Sequence, residues 1–411
     1  MKKISRRDLL KMGAASGTLM TGAGRVLSQS VTYPFILQIE CSGGWDQSMV
    51  FDNKVGSTVL QIDGSASLAT GAGGINFVSS ANRPSVDSYF NSHGAETTIV
   101  NGIFTRDLDH DLAQRRTNGV RNPLTNNPIS FLTYYSTLTG LSKSYPHIIS
   151  DVLNEADLYD VLTYKASLDF LKNADTRYLS GFGAATKSSL KDYLSKVYSR
   201  FSLGRINAEY DGRKVNTISS KALQESVSSS LLTANTLYDD TQPTNLRKRT
   251  FFALKMFEKG YSQAASVLDE EELSWDNHQT TTTSQNTNFE RLFSDLEAIV
   301  DEAISLGIAD NLIIVVKSEI GRDSRVSLNS KDHWPYTSCL IWSRQLTGGK
   351  VVGQTDDYLR GLKVDSYTGA AAPSYGVEVT FDSIYAAIFQ KYGIDQKLLF
   401  GSNLIPGYFI L

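Results

Sequence analysis

Short apolar runs that alternate with amphipathic segments constrain the fold of this chain more than any other feature. The runs YPFILQIEC (33–41) and DNLIIVVKS (310–318) are almost continuously apolar. Such runs are typical of strands that are buried on both faces of a parallel sheet. Further runs at 97–103, 263–269 and 338–343 also predict strands, of which 263–269 is the weakest.

The segments between these runs have helical periodicity. In NFERLFSDLEAIVDEAISLG (288–307), apolar residues recur every three or four positions, and Gly307 is a natural C-terminal stop. FDSIYAAIFQKYG (381–393) repeats the pattern, whereas the polar stretch at 280–288 predicts a loop. Alternating strands and helices predict an α/β fold, a three-layer sandwich around a mostly parallel central sheet.

Residues 145–262 differ from the rest of the chain. Several amphipathic segments there predict helices, and no run predicts a strand. We therefore expect residues 31–411 to form one α/β domain that carries a helical insertion at about 145–262. Lysine and arginine are mixed with aspartate and glutamate in this block, which is typical of solvated faces.

The N-terminus predicts export. Residues 1–28 have a basic start, the pair Arg6-Arg7 and a mildly apolar stretch, the pattern of a twin-arginine signal peptide. The alternatives are a chance arginine pair on an amphipathic helix, or an uncleaved signal that acts as an anchor. The predicted partner is the twin-arginine export machinery, and the predicted location is the periplasm or the exterior.

Charge and hydropathy exclude some other partners. The segment 1–28 carries six Lys/Arg and one Asp, so its removal changes the formal net charge from −3 to −8. An acidic mature chain argues against nucleic acid and against anionic membranes. No other segment is long and apolar enough to predict a stable membrane span.

Two cysteines, Cys41 and Cys339, are too few for a disulfide framework. A single disulfide formed after export and a pair of buried thiols both remain open.

Acidic residues and histidines follow several predicted strands and predict a metal site. Parallel strands end at one edge of an α/β sheet, so groups that follow them can converge there. Carboxylates mixed with imidazoles suit a divalent cation such as Zn, Mn, Mg or Ca. Two such ions about 4 Å apart would form a centre for phosphate or sulfate ester hydrolysis. The predicted ligands are Asp46, Asp276, His278, Glu319, Asp332 and His333.

Three further residues are catalytic candidates. Arg322 is expected to neutralise an ester oxyanion, and Asp109 and His110 to act as an acid–base pair or as extra ligands. Each aspartate has a simpler explanation as a turn former or helix cap, and DLDHD (107–111) as a solvated helix start.

Three of the four tryptophans adjoin these groups, namely Trp45, Trp275 and Trp334. They are expected either to pack in the core beneath the strand ends or to form an aromatic wall for a substrate.

Several motifs, in order, carry a resemblance over nearly the whole mature chain: GGWD (43–46), DHDLAQRRTNG (109–119), SWDNHQ (274–279), NLIIVVKSEIGR (311–322) and KDHWP (331–335). The chain resembles the exported, uncharacterised domain-of-unknown-function family 1501, of the alkaline phosphatase and sulfatase-like superfamily. The resemblance implies metals at the carboxyl edge of the sheet. It maps metal-binding positions of the superfamily onto Asp46, Asp276, His278, Glu319 and His333.

The chain also departs from the superfamily pattern. Ile320 stands where a metal-binding histidine is expected, and Asp109 where family members commonly have serine. An aspartate cannot form a seryl ester intermediate, and Thr105 and Ser42 are the nearest hydroxyl substitutes. The sulfatase signature, Cys or Ser followed two places later by Pro and then Arg, is absent from the sequence.

Two functions are therefore carried forward. The first is an exported metal-dependent hydrolase of phosphate or sulfate esters, acting on a small molecule or a polysaccharide. The second is a non-catalytic periplasmic or surface binding or assembly protein on a degenerate scaffold, favoured by Ile320 and the missing serine. A structural calcium site that only ties loops together is a third possibility.

Overall fold

The computed structural model of the chain describes residues 32–121, 128–140, 143, 147–150, 237–269, 275–278, 282–328, 330–395, 397–400 and 404–411. The predicted signal peptide and residues 151–236 of the predicted insertion lie outside the described residues. The described residues from Tyr33 onward belong to one compact unit.

A seven-stranded sheet runs through the described part of the chain. Its strands are β1 (Phe35–Glu40), β4 (Thr97–Phe104), β7 (His147–Ser150), β8 (Ala264–Leu268), β9 (Leu312–Lys317), β12 (Tyr336–Ser343) and β13 (Lys350–Val352). Their order is β13-β4-β12-β9-β1-β8-β7. Only β12 is antiparallel to its neighbours, β4 and β9, so the predicted mainly parallel sheet is confirmed.

Three two-stranded ribbons among the described residues lie outside this sheet. They pair β2 (Ser67–Thr70) with β3 (Asn76–Ser79), β5 (Gly119–Arg121) with β6 (Pro128–Ser130), and β10 (Gly321–Asp323) with β11 (Asp332–Trp334). The last ribbon follows β9 directly and leads into β12, so it stands at the carboxyl edge of the sheet.

Helices cover both faces of the sheet and make the three layers. They are α1 (Pro84–His93), α2 (His110–Asn118), α3 (Phe131–Thr139), α4 (Asn245–Glu258), α5 (Thr283–Ser305), α6 (Phe381–Lys391) and the short α7 (Lys397–Phe400). Successive strand residues point to opposite faces. Accordingly, Leu37 and Ile39 pack in one core with α1, α4 and α5, and Ile36 packs in the other with α3 and α6.

Within the described residues, the predicted strands and helices are confirmed except in two places. Residues His147–Ser150 form β7, which pairs with β8, so the expectation of no strand in 145–262 is wrong at that point. Helix α4 lies in the same block and agrees with its predicted helical character. The predicted loop at 280–288 is also wrong from residue 283, where α5 begins.

Cys41 and Cys339 are free, buried thiols, which decides between the two alternatives left open by the sequence. Burial raises the pKa of both thiols above their ordinary value. Among the described helices, none combines the length and the apolar character that crossing a membrane would require.

Candidate metal centre

The carboxyl ends of the parallel strands bring distant residues to one edge of the sheet, as the sequence predicts. The segments that follow β4, β8 and β9 place His110, Asp276 and Glu319 there, and the β10–β11 ribbon adds His333. The loop after β1 passes close against them because Gly43 has φ +125°. A Cβ at Gly43 would lie 2.3 Å from the backbone nitrogen of Asp276, so a larger residue would displace that segment.

Three side chains surround one point at this edge. Nε2 of His110 and Nε2 of His333 each lie 3.5 Å from the Asp276 carboxylate, one near each oxygen. One donor atom from each of the three residues lies within 4.8 Å of the other two. The rings of His110 and His333 meet edge to face with centroids 4.4 Å apart. This set, His110, Asp276 and His333, is called the inner group below.

A second set of three shares one member with the inner group. His278, Asp332 and His333 also offer donor atoms within 4.8 Å of one another. Nδ1 of His278 lies 3.6 Å from Asp332, and its Nε2 lies 3.0 Å from Asp276. His278 and Asp332 are exposed, whereas the two histidines of the inner group are partly buried.

The rings of His110 and His333 are both fixed through Nδ1. The Nδ1 atom of His333 lies 2.7 Å from the carbonyl oxygen of Leu108, and that of His110 lies 2.7 Å from Oε1 of Glu319. Because a carbonyl or carboxylate oxygen only accepts, each Nδ1 carries the proton and donates it. In the neutral ring, Nε2 then holds the lone pair, the arrangement that metal-binding histidines adopt.

Both Nε2 atoms are buried, and within the described part of the chain neither has a hydrogen-bond partner. Unsatisfied buried nitrogens are costly, so two of them aimed at one carboxylate call for a ligand. Two imidazole nitrogens and a carboxylate oxygen form a donor set that fits a divalent ion such as zinc or manganese.

Asp276 is held ionised by its neighbours. Burial acts to raise its pKa, but the hydrogen bond and charge of Arg322, together with His110 and His278, lower the pKa to about 2. Nη2 of Arg322 donates to Oδ1 of Asp276 at 2.6 Å. The carboxylate therefore keeps its negative charge across the physiological pH range.

Arg322 itself is fully buried. Besides Asp276, its guanidinium donates to the carbonyl oxygens of Gly44 at 2.9 Å, Lys331 at 3.2 Å and Gly43. Because its N–H groups are already hydrogen-bonded, Arg322 fixes the orientation of Asp276 and links three loops. Contact with an ester oxyanion, the role expected from the sequence, would require these bonds to break.

Glu319 lies behind His110. Its Oε1 accepts from the backbone nitrogen of Gly43 at 2.7 Å as well as from His110, and the side chain is fully buried. The hydrogen bond to Glu319 raises the pKa of His110, against the opposing effect of burial. Glu319 therefore orients the His110 ring, in the manner of a carboxylate that supports a metal-binding histidine.

Asp46 is not among the gathered groups. Its carboxylate accepts from Nζ of Lys331 and from the hydroxyls of Ser48 and Ser324, each at 2.6 Å, and it caps a short 3-10 turn. Burial acts to raise the pKa of Asp46, but Lys331 and the hydroxyls lower it below its ordinary value. A metal ion would have to replace a fully buried ion pair to reach this carboxylate.

Other candidates from the sequence have structural partners. Asp109 caps α2 by accepting from the backbone nitrogen of Leu112 at 3.0 Å. Thr105 donates to the carbonyl oxygens of Asp107 and Pro335, whereas Ser42 lies 3.4 Å from Glu319. Ile320 is fully buried.

Two of these three tryptophans pack in the core, the first of the two expected roles. Trp45 and Trp275 are buried in the core, where both pack against Phe289. Trp334 is only partly buried and donates from Nε1 to the carbonyl oxygen of Leu359.

Sequence reasoning missed Lys331 and the carbonyl of Leu108. Lys331 directly precedes Asp332-His333 in the KDHWP motif, so a lysine beside predicted ligands was the available signal. A backbone carbonyl leaves no signal in the sequence, since every residue has one.

The chain is thus a mixed α/β protein with a candidate metal centre at the carboxyl edge of a mainly parallel sheet. It belongs to the family described as "Protein of unknown function (DUF1501)", whose model matches residues 199–404. No curated protein matches the chain.

Several solved structures are similar at low identity. The PsFucS1 sulfatase from Pseudoalteromonas sp. is 11% identical, with a TM-score of 0.40 over 98% of this chain and 74% of that one. The lipoteichoic acid synthase LtaP from Listeria monocytogenes is 7% identical, with a TM-score of 0.35 over 90% and 80%. A protein in the alkaline phosphatase superfamily from Vibrio parahaemolyticus is 11% identical, with a TM-score of 0.36 over 95% and 76%. Similarity at this level carries no information about the chemistry of this chain.

Proposed function

We propose that this protein is an exported, metal-dependent hydrolase of phosphate or sulfate esters of a small molecule or a polysaccharide. The observation that carries the proposal is the pair of buried Nε2 atoms, on His110 and His333, that converge on the ionised Asp276 without hydrogen-bond partners in the described chain. The ester class comes from the sequence resemblance to the alkaline phosphatase and sulfatase-like superfamily. Export rests on the Arg6-Arg7 motif.

The contacts of each residue in the centre indicate its role in binding the metal or in orienting a ligand. A divalent ion bound here would supply a Lewis acid that polarises an ester oxygen. His110, Asp276 and His333 would hold it. Glu319 and the Leu108 carbonyl keep the two rings oriented, and Arg322 keeps Asp276 ionised and in place.

Outside the inner group, His278 and Asp332 are exposed beside it. They are the groups best placed to exchange a proton with a bound ester or with water.

Metal content is the first test. Protein purified without chelator should contain a divalent metal, and His333→Ala should lose it, because one of the three inner donors is removed. His93→Gln is the matched control, since His93 lies at the end of α1 and its nearest carboxylate is Asp301 at 3.8 Å. Elemental analysis of the three proteins measures their metal content. Activity assays with a panel of phosphate and sulfate esters then test hydrolysis. A parent protein that binds no divalent metal would refute the proposal.

A second test addresses the orientation of His110. Glu319→Gln removes the charge behind the ring and keeps an oxygen that can accept from Nδ1, so we expect metal affinity to fall by about 10- to 100-fold. Glu297→Gln, on α5 where the carboxylate accepts from Ser88 of α1, is the control and should leave affinity unchanged. Competition with a chromogenic chelator measures the affinities. An unchanged affinity in Glu319→Gln would show that Glu319 does not support a ligand.

A non-catalytic metal-binding protein is the second candidate. It is favoured by the Asp46–Lys331 ion pair and by the buried Ile320, which occupy positions that the resemblance associates with metal ligands. Metal binding without turnover of any ester in the panel, with Mn, Zn or Ca added, would select this function.

A further inference from the structure

The number of ions that the centre can hold follows from which donor atoms are available. His333 is common to the inner group and to the set with His278 and Asp332. Its Nδ1 is engaged by the carbonyl oxygen of Leu108 at 2.7 Å, so only Nε2 can bind a metal. One nitrogen lone pair binds one ion, so the two sets cannot both be filled with three protein donors from the described residues.

The carboxylates that a second ion would require are engaged by other partners. Asp46 is paired with Lys331 and two serine hydroxyls, and Glu319 accepts from His110 and Gly43. Oδ1 of Asp276 accepts from Arg322, and Oδ2 lies 3.5 Å from Nε2 of His110. Without His333, the second set retains only His278 and Asp332, both exposed.

Charge balance supports a single ion. The centre contains three carboxylates, those of Asp276, Glu319 and Asp332, and one guanidinium, that of Arg322. The Asp46–Lys331 pair is neutral by itself. One divalent ion would balance these formal charges, whereas two would leave an excess of positive charge.

We infer that the centre binds one divalent ion, held by Nε2 of His110, Nε2 of His333 and Asp276, and does not bind a pair of ions. The inference rests on the proposed function, since it requires that a metal binds. It assigns His278 and Asp332 to the surroundings of the ion. It also assigns Lys331, and not a second metal ion, as the ion-pair partner of Asp46.

Stoichiometry tests this inference without any measurement of activity. Metal-free full-length protein is titrated with Zn²⁺ by calorimetry and with Co²⁺ by its visible absorption. We expect both titrations to end at one equivalent in the parent chain and in His93→Gln. His278→Ala should still bind one equivalent, whereas His333→Ala and His110→Ala should bind none. Far-UV circular dichroism verifies that each variant is folded.

The possible outcomes separate the inference from the proposed function. Two equivalents in the parent chain would overturn the single-ion assignment and leave the metal-dependent function standing. One equivalent in the parent and none in His278→Ala would also overturn it, because the ion would then belong to the outer set. No binding by the parent would overturn both the inference and the proposed function.

Discussion

Replacing Lys331 with methionine should lower the free energy of unfolding by about 3–5 kcal/mol, the cost of leaving one partner of a buried ion pair alone. Lys331 and Asp46 are both fully buried, and Nζ lies 2.6 Å from Oδ2. Methionine keeps most of the side-chain volume, so the loss arises from the uncompensated carboxylate and only slightly from a cavity. The change in the free energy of unfolding is measured by chemical denaturation, with tryptophan fluorescence as the signal.

The companion variants separate the ion pair from other effects of the substitution. Asp46→Asn in the Lys331→Met background removes the stranded charge. Its amide oxygen can still accept from Ser48, and its amide nitrogen can donate to the hydroxyl of Ser324, so at least about 2 kcal/mol should return. Lys259→Met, which breaks an exposed pair with Glu258 at 2.8 Å, should change stability by less than about 1 kcal/mol. If Lys331→Met is as mild as Lys259→Met, Lys331 does not neutralise Asp46.

The same ion pair shows why part of the site could be foreseen from the sequence and part could not. Parallel strands end at one edge, so groups that follow them, such as His110 after β4 and Asp276 after β8, can converge there. Whether a carboxylate at that edge faces a ligand or a lysine depends on side-chain packing. Asp46 and Glu319 both follow strands, yet one is paired with Lys331 and the other supports His110.

The fold could be predicted from the sequence where the apolar pattern of a segment matches its burial in the structure. The apolar runs of β1 and β9 lie at the centre of the sheet, with neighbours on both sides, which is why their sequences are so uniform. The sequence predicts a loop where the first turns of α5 lie, because the residues there are polar. Gln285 and Asn286 are buried there and bind Asp46 and Arg83 respectively, so contacts with distant segments outweigh local propensity.

The strand β7 was missed for a related reason. It has only four residues, HIIS, and its first, His147, is a residue for which the sequence gives no structural preference. In the fold, His147 is 3% exposed, with its two ring nitrogens 3.0 Å from the hydroxyl of Thr133 and 2.9 Å from that of Ser266. The strand is therefore specified by β8 and α3, which provide these partners, more than by its own sequence.

Burial of His147 should make the stability of the protein fall as the pH is lowered. Burial lowers the pKa of this histidine in the folded state to about 3, whereas the ordinary value is 6.5. Between these values the unfolded chain binds a proton that the folded chain does not, so the contribution to stability is present above pH 6.5 and is lost as the pH falls toward 3. From about pH 7 to about pH 4.5 the expected loss from this one group is about 2.5 kcal/mol.

Comparison with variants isolates this contribution from the other titrating groups of the chain. The free energy of unfolding of the parent minus that of His147→Gln should decrease by about 2.5 kcal/mol between about pH 7 and about pH 4.5, since glutamine does not titrate. Thr133→Val removes one hydroxyl partner but keeps the histidine, so it should lose about 1 kcal/mol at neutral pH and retain the pH dependence of the parent. Urea unfolding of the three proteins across this range provides the measurement. Parallel pH profiles for the parent and His147→Gln would mean that His147 becomes protonated in the folded protein, and that its two hydroxyl partners accommodate the charge.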